Sequence, residues 1–198
     1  MWTEEGVGMR SDQKRWDERF GGKGFAFGKE PNPFLKKHIR LLPKGKALDI
    51  ATGEGRNAIF LAQQGFGVDA VDISRVGLKK AQKLAGEVGV KIHTSFADLN
   101  TYQIEKEKYD LIANFYFLRR SLISQIKKGL RKGGRVIFET YTLEQKNVGT
   151  EGPKDPKYFL KSNELLRLFK DFRILFYREG VFKEGGRRKA VASLIAQK

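Results

Sequence analysis

Apolar positions along the chain follow two periods, and the places where one gives way to the other mark the elements. Trp16 and Phe20 stand four apart, on one helix face, and Ser11 is placed to cap a short helix ending at Phe20. Asn32-Pro33 opens a second helix, with Phe34, Leu35, Ile39, Leu41 and Leu42 on its apolar side. Ala47, Leu48 and Ile50 then make a short strand. It runs through Ala51-Thr52-Gly53-Glu54-Gly55 into a helix whose apolar side carries Ala58, Ile59, Leu61 and Ala62. Residues 68–73 (VDAVDI) read as a buried strand, Ser74 as the cap of a helix to about Gly86, and residues 91–96 as a third strand.

Residues 109–117 (YDLIANFYF) are almost continuously apolar, as expected for a strand covered on both faces. Leu122, Ile123, Ile126 and Leu130 give residues 118–130 a helical period, residues 131–134 a turn, and residues 135–141 a fifth strand. A long polar loop over 142–159 has a length often tied to function. Ser162 is placed to cap a last helix bearing Leu165, Leu166, Leu168 and Phe169. Two more strands, 172–177 and 190–196, are joined by roughly 12 residues, too few for a helical crossover, so they pair antiparallel. The whole predicts an α/β fold: Rossmann-like, doubly wound, a mostly parallel seven-stranded sheet with an antiparallel C-terminal hairpin.

Composition narrows the chemistry. A chain of 198 residues suits one domain with a sizeable core. No apolar run approaches the roughly 18 residues of a membrane helix, and MWTEEGVGMR lacks the pattern of a secretory signal. A cytoplasmic protein with no membrane association is expected. The absence of cysteine excludes disulfides, thiolate metal sites and a cysteine nucleophile, and two isolated histidines argue against a metal cluster or a Ser-His-Asp triad. The net charge of +16 is uneven: residues 1–100 hold 17 Lys/Arg and 12 Asp/Glu, residues 101–198 hold 22 and 11. A basic half could attract nucleic acid or an anionic small molecule; it is equally the surface of a soluble or heat-stable protein.

The strand–turn–helix around Gly53 is the natural ligand site, since glycines permit close approach and a helix start offers N–H groups. Gly53-Glu54-Gly55-Arg56-Asn57-Ala58 satisfies the dinucleotide fingerprint, and Asp72 follows at about the ribose spacing. Three features favour another ligand. Asp49, four residues before Gly53, would repel a pyrophosphate but help an ammonium group. Asp98 ends the third strand, where an adenine amino group could donate to it. The antiparallel hairpin is no part of a plain dinucleotide fold. An amino acid joined to adenosine, S-adenosylmethionine, meets all three conditions, with a nicotinamide dinucleotide as the alternative.

The wording D-x-A-x-G-x-G from Asp49, the acid ending the second strand and the Ala97-Asp98-Leu99 turn resemble class I S-adenosylmethionine-dependent methyltransferases from about Leu42 onward. GEGRNAIFLAQQGFGVDAVDIS and RWDERF…GKEPNPFL are most similar to the small tellurite-resistance-like and thiopurine-type members. The resemblance implies methyl transfer by in-line displacement, with S-adenosylmethionine as cofactor and a small-molecule acceptor, RNA being the alternative acceptor. It implies one domain over 1–198, with 1–42 a helical, aromatic cap and lid and 43–198 the cofactor-binding core. Asp49 would serve the methionine ammonium; Ala51, Thr52, Gly53, Gly55 and Asn57 would line the methionine. Asp72 would hold the ribose, Ile73 would pack on adenine, and Ala97 and Asp98 would meet its amino group. Asn114 would sit near the sulfonium, while Trp16, Phe25, Phe27 and Phe115 would close the acceptor pocket. The basic half makes an anionic acceptor an expectation. Tyr116 and Tyr141, with Glu139, are the candidates if an oxygen or nitrogen acceptor needs a base. Ala51-Thr52 departs from the frequent glycine and cysteine, and Asn114-Phe115-Tyr116-Phe117 lacks the Asn-Pro-Pro-aromatic wording of amino-directed nucleic-acid enzymes. No metal is expected, and the oligomeric state is open.

Overall fold

Strands β1 (Lys46–Ile50), β2 (Gly67–Asp72), β3 (His93–Phe96), β4 (Tyr109–Phe115), β5 (Leu130–Tyr141), β6 (Arg173–Glu184) and β7 (Arg187–Gln197) form a seven-stranded sheet in the order 3-2-1-4-5-7-6. The helices are α1 (Glu4–Phe20), α2 (Pro33–His38), α3 (Arg56–Gln63), α4 (Arg75–Glu87), α5 (Ile123–Gly129) and α6 (Glu164–Leu168). The computed structural model describes residues 4–149, 152–184 and 186–198, so Thr150, Glu151 and Gly185 of the expected loops, and the first three residues of the expected N-terminal cap, lie outside the described residues. The chain divides into two compact units. One takes Met1–Asn32 and Gly45–Gln103; the other takes Pro33–Lys44 and Ile104–Lys198.

In the first unit β2 pairs parallel with both β1 and β3. Ala47, Leu48, Ile50, Ala70 and Val71 are buried, as are Ala58 and Leu61 of α3 and Leu78, Ala81 and Leu84 of α4. That burial on both faces explains why β1 and β2 read as apolar runs rather than as alternating ones. Ser74 caps α4 as expected, its Oγ accepting from the Gly77 N–H at 3.0 Å. Ser11 does not cap α1. The helix already starts at Glu4, so Ser11 lies in its interior.

In the second unit β4 and β5 run parallel, while β7 pairs antiparallel with both β5 and β6. Residues 131–134, expected as a turn, belong to β5. The register jumps from Tyr109↔Leu130 to Leu111↔Arg135, so the surplus residues form a bulge, with Gly133 at φ +81°. The expected link between the last two strands is mostly strand itself. Pairing runs out to Glu184↔Arg187, because each arm supplies the partner that no single-strand pattern reveals. The helix expected over 118–130 is shorter, a 3₁₀ turn at Arg120–Leu122 followed by α5. Ser162 does not cap α6. Asn163 holds the N-cap position in a left-handed conformation (φ +57°) without a side-chain cap bond, and Glu164 reaches back to accept from the Lys161 N–H at 2.8 Å. The Arg120 guanidinium fastens the end of the long loop, donating to Glu164, Lys157 O and Phe159 O.

Candidate functional site

The site of the first unit is built where β1 leaves the sheet. Asp49 is 1% exposed, and its carboxylate accepts from the Thr52 hydroxyl at 2.6 Å and from the Ala58 N–H at the start of α3. Among the described residues, no cation is in salt-bridge contact with it. Burial pushes its pKa up to about 7; the Thr52 hydrogen bond pulls it down, and the Asp72 charge adds to the rise. Asp72, at the end of β2, accepts from the Gly53 N–H at 2.7 Å and from the Ser74 N–H at 2.8 Å. Burial raises its pKa as well, against those hydrogen bonds. Two buried carboxylates therefore flank the turn, and Arg56 is the cation whose charge acts on Asp49 from the start of α3.

The turn itself is conformationally demanding. Ala51 lies at φ +53°, a left-handed conformation that costs an L-residue about 1–3 kcal/mol. Its cost is borne by tethers: the Thr52 N–H donates to Val71 O and the Gly55 N–H to Thr52 O. Gly53 and Gly55 were expected to make room for a ligand. In the structure a Cβ at Gly55 would stand 2.6 Å from Ala81 Cβ, and one at Gly53 would stand 3.0 Å from the Phe20 ring. Their smallness therefore serves the packing of α4 and α1 on the turn, which leaves the polar backbone edge in place.

Asn57 is buried and accepts from the Asn32 N–H at 2.8 Å, tying the segment before α2 to the start of α3. Ala97 donates its N–H to Asp72 O, which brings Asp98 to the neighbouring strand end. Asp98 accepts from the Asn100 N–H at 2.8 Å, so it also forms its own turn. Ile73 is half-buried beside Asp72. Asp49, Ala51, Thr52, Gly53, Gly55, Asn57, Asp72, Ile73, Ala97 and Asp98 thus all belong to the unit built around the turn.

Two residues that the sequence reading did not place at the site shape it. Phe20, 3% exposed and stacked on Trp16 at 5.4 Å, is the ring that lies on the glycine turn. Asp17, one helical turn earlier than Gly21, accepts from Ser74 Oγ at 2.6 Å and the Val76 N–H at 3.1 Å. Burial pushes the Asp17 carboxyl up, but these hydrogen bonds outweigh it and hold it below its ordinary value. The Trp16/Phe20 spacing was visible as a helix face; nothing local says what that face covers. Phe25, expected over the ligand, packs instead on Ile59, Leu84 and Ala85, and Phe27 is half exposed with its edge towards Phe20. The glycine-rich strap that carries them is pinned: Lys80 Nζ donates to Gly22 O, Gly24 O and Glu54, and Glu54 accepts from the Ala26 N–H at 2.7 Å.

The second unit holds the remaining candidates. Asn114 is buried and donates from its side chain to Phe117 O at 2.7 Å; Phe115 is buried beside it. Tyr116 follows at φ +56°, its ring 4.9 Å from that of Tyr141 and its hydroxyl donating to Glu139 at 3.2 Å. Among the described residues no group of His, Asp and Glu could hold a metal ion, and no helix is long and apolar enough to cross a membrane.

A seven-stranded sheet that is parallel except for β7, reversed between β5 and β6, is a fold shared with solved S-adenosylmethionine-dependent methyltransferases. The structure of one from Methanosarcina mazei matches with a TM-score of 0.66 at 19% identity, covering 85% of this chain and 98% of that one. The crystal structure of TehB from Haemophilus influenzae matches with a TM-score of 0.73 at 20% identity, covering 94% of this chain and 66% of that one. The model of the family "Tellurite resistance protein TehB" matches residues 33–189, and the chain belongs to that family. The probable S-adenosyl-L-methionine-dependent methyltransferase TehB of H. influenzae is 27% identical over 148 residues, 72% of this chain and 51% of that protein. An uncharacterised protein of Methanocaldococcus jannaschii is 28% identical over 164 residues, 76% of this chain and 74% of that one. The chain spans about half the length of the first curated relatives it matches.

Proposed function

We propose that this chain binds S-adenosylmethionine at the β1–α3 turn and transfers its methyl group to a small-molecule acceptor. The observation that carries the reading is the pair of buried carboxylates, Asp49 and Asp72, with no cation in contact with Asp49 and its pKa raised to about 7. A cationic methionine end supplies the missing positive charge; a pyrophosphate would add two more negative ones. Asp49 holds the ammonium side, the turn backbone lines the methionine, Asp72 takes the ribose hydroxyls and Asp98 the adenine amino group. Membership of the TehB family supports the same cofactor. When bound, the sulfonium supplies an activated methyl group, so the chain's own task is to orient an acceptor and exclude water.

The test is a labelled-methyl transfer screen over thiols, chalcogen oxyanions, small amines, phenols and bulk RNA. Transfer to a small molecule supports the reading, and transfer to RNA alone overturns the acceptor class. The RNA reading has one observation of its own: the second unit holds 26 of the 39 Lys and Arg but only 11 of the 23 Asp and Glu. An RNA substrate would make binding fall steeply with salt. Some of these basic residues are engaged locally, Arg120 with Glu164, Lys127 with Asp171 and Arg131 with Asp110, and the salt dependence of binding separates the two acceptor classes.

A further inference from the structure

Gln13, Asp17 and Phe20 fall on one face of α1, and that face meets the start of α4 and the glycine turn. Asp17 is held from two sides. One carboxylate oxygen accepts from Gln13 Nε2 at 3.2 Å; the other accepts from Ser74 Oγ at 2.6 Å and from the Val76 N–H at 3.1 Å. One helical turn on, the Phe20 ring fills the space that two glycines leave open. A Cβ at Gly53 or at Gly77 would stand 3.0 Å from it. The depth of that ring fixes how closely Asp17 approaches α4.

Ser74 stands between two acids. Its N–H donates to Asp72 at 2.8 Å, its hydroxyl donates to Asp17, and its Oγ accepts from the Gly77 N–H at 3.0 Å. A serine hydroxyl has one proton, and here that proton is committed to Asp17. Ser74 is fully buried, so solvent does not compete for it. Asp72 receives backbone N–H groups, from Gly53, Ser74 and Ile73; among the described residues no side chain donates to it.

Packing alone does not call for a charge at position 17. Ser74 already caps α4 through Gly77, and a neutral acceptor would tie α1 to α4 as well. The charge has a cost at Asp72, where burial is the main cause of the raised pKa and Asp17 adds to the rise. The dipole of α4 offsets part of that cost.

We propose that Asp17 is a positioning residue for nucleoside binding: by holding the Ser74 hydroxyl, it keeps Asp72 clear of side-chain donors and available to the two hydroxyls of a ribose. The proposal rests on the cofactor reading above, in which Asp72 takes the ribose. Without Asp17, the Ser74 proton turns to the carboxylate that the Ser74 N–H already meets. A hydroxyl bonded there competes with the sugar for the same lone pairs. Asp17 acts through Ser74 and Asp72, and α1 thereby contributes to the selection of ribose.

The test is isothermal titration of the full chain with two probes, S-adenosylhomocysteine and its 2′,3′-dideoxy analogue. Wild-type protein binds the ribose form at least about tenfold more tightly, the range for hydroxyls bonded to a charged acceptor. Asp17→Ala binds S-adenosylhomocysteine about tenfold more weakly and the dideoxy analogue less than about threefold more weakly. Asp17→Asn, which keeps an acceptor for Ser74 Oγ, holds the wild-type preference to within about threefold. Adding Ser74→Ala to Asp17→Ala removes the competing hydroxyl and restores the preference, a rescue that a merely structural role for Asp17 would not give. Equal loss on both probes, no loss in Asp17→Ala, no rescue by Ser74→Ala, or a wild-type protein that binds both probes equally overturns the proposal. Failure of S-adenosylhomocysteine to bind wild-type protein strikes the cofactor reading instead. Should Asp17→Ala not fold, Ser74→Ala alone decides. With no hydroxyl to restrain, its ribose preference stays at the wild-type value, and a lost preference overturns the role of Asp17.

Discussion

Replacing Asp49 by Asn should make the protein more stable at neutral and alkaline pH while damaging its ligand site. Burial raises the Asp49 pKa from 3.8 to about 7, so the folded state holds that proton more tightly than the unfolded chain does. Between those two values the folded protein binds more protons, and its stability falls as pH rises; above about 7 the loss is complete. A shift of that size corresponds to about 4 kcal/mol between pH 4 and pH 8. Asn has the same shape and still accepts a hydrogen bond from Thr52, but it carries no charge. With about 1 kcal/mol allowed for the second acceptor it lacks, a net gain on the order of 2–3 kcal/mol is expected at pH 8. No gain is expected at pH 4, where the wild-type carboxyl is already largely neutral. Urea unfolding at pH 4, 6 and 8 measures this directly, and the wild-type slope against pH should be the steeper. Asp72 is present in both proteins, and because its charge adds to the Asp49 rise, removing the Asp49 charge relieves that repulsion and acts in the same direction as the predicted gain. A variant no more stable than wild type at pH 8, or one with the same pH slope, would refute the assignment of a buried, uncompensated charge.

Three further outcomes follow from the packing. Gly55→Ala should cost at least about 2 kcal/mol, because its Cβ would press within 2.6 Å of Ala81; Gly65→Ala, at a similar φ but in open space, should cost only about 1 kcal/mol. Equal midpoints for the two in urea would sink that explanation. Lys80→Met should free the glycine strap from Gly22, Gly24 and Glu54 and speed trypsin cleavage at Lys23 several-fold with little change in global stability; an unchanged cleavage rate would count against the strap being pinned there. Phe20→Ala should lower stability by about 3–5 kcal/mol by opening a cavity over Gly53, and a loss under about 1 kcal/mol would mean the ring is not packed as described.

The fold was legible where local signals were strong. The almost continuous apolar run over 109–117 announced a strand covered on both faces, borne out by the burial of Leu111, Ile112, Ala113 and Phe115, and Ser74 announced the start of α4. Boundaries that depend on partners were not legible. The bulge in β5 is fixed by the register against β4, and the long arms of β6 and β7 are fixed by one another. Ser162 and Asn163 both look like helix caps, and only the left-handed turn at Asn163 decides between them. In the site, Asp49 and Asp72 stood out because a charge in an apolar strand is unusual. Phe20 and Asp17 did not, since a helix face and a surface acid carry no local mark of what they cover. Glu139 was named from its strand, but its partners Ser193 and Arg178 lie far away in sequence and meet it only through the register of β5, β7 and β6.

The central claim is that the β1–α3 turn holds a methionine-bearing nucleoside rather than a dinucleotide. Isothermal titration of the wild-type protein with S-adenosylhomocysteine and with NAD, run at pH 6.5 in two buffers of different ionisation enthalpy, tests it most directly. The account predicts binding of S-adenosylhomocysteine with net release of protons as Asp49 ionises beside the ammonium group, loss of that binding in Asp49→Asn and Asp72→Asn, and no measurable heat with NAD. Tight binding of NAD, or S-adenosylhomocysteine binding that neither substitution weakens, would contradict it.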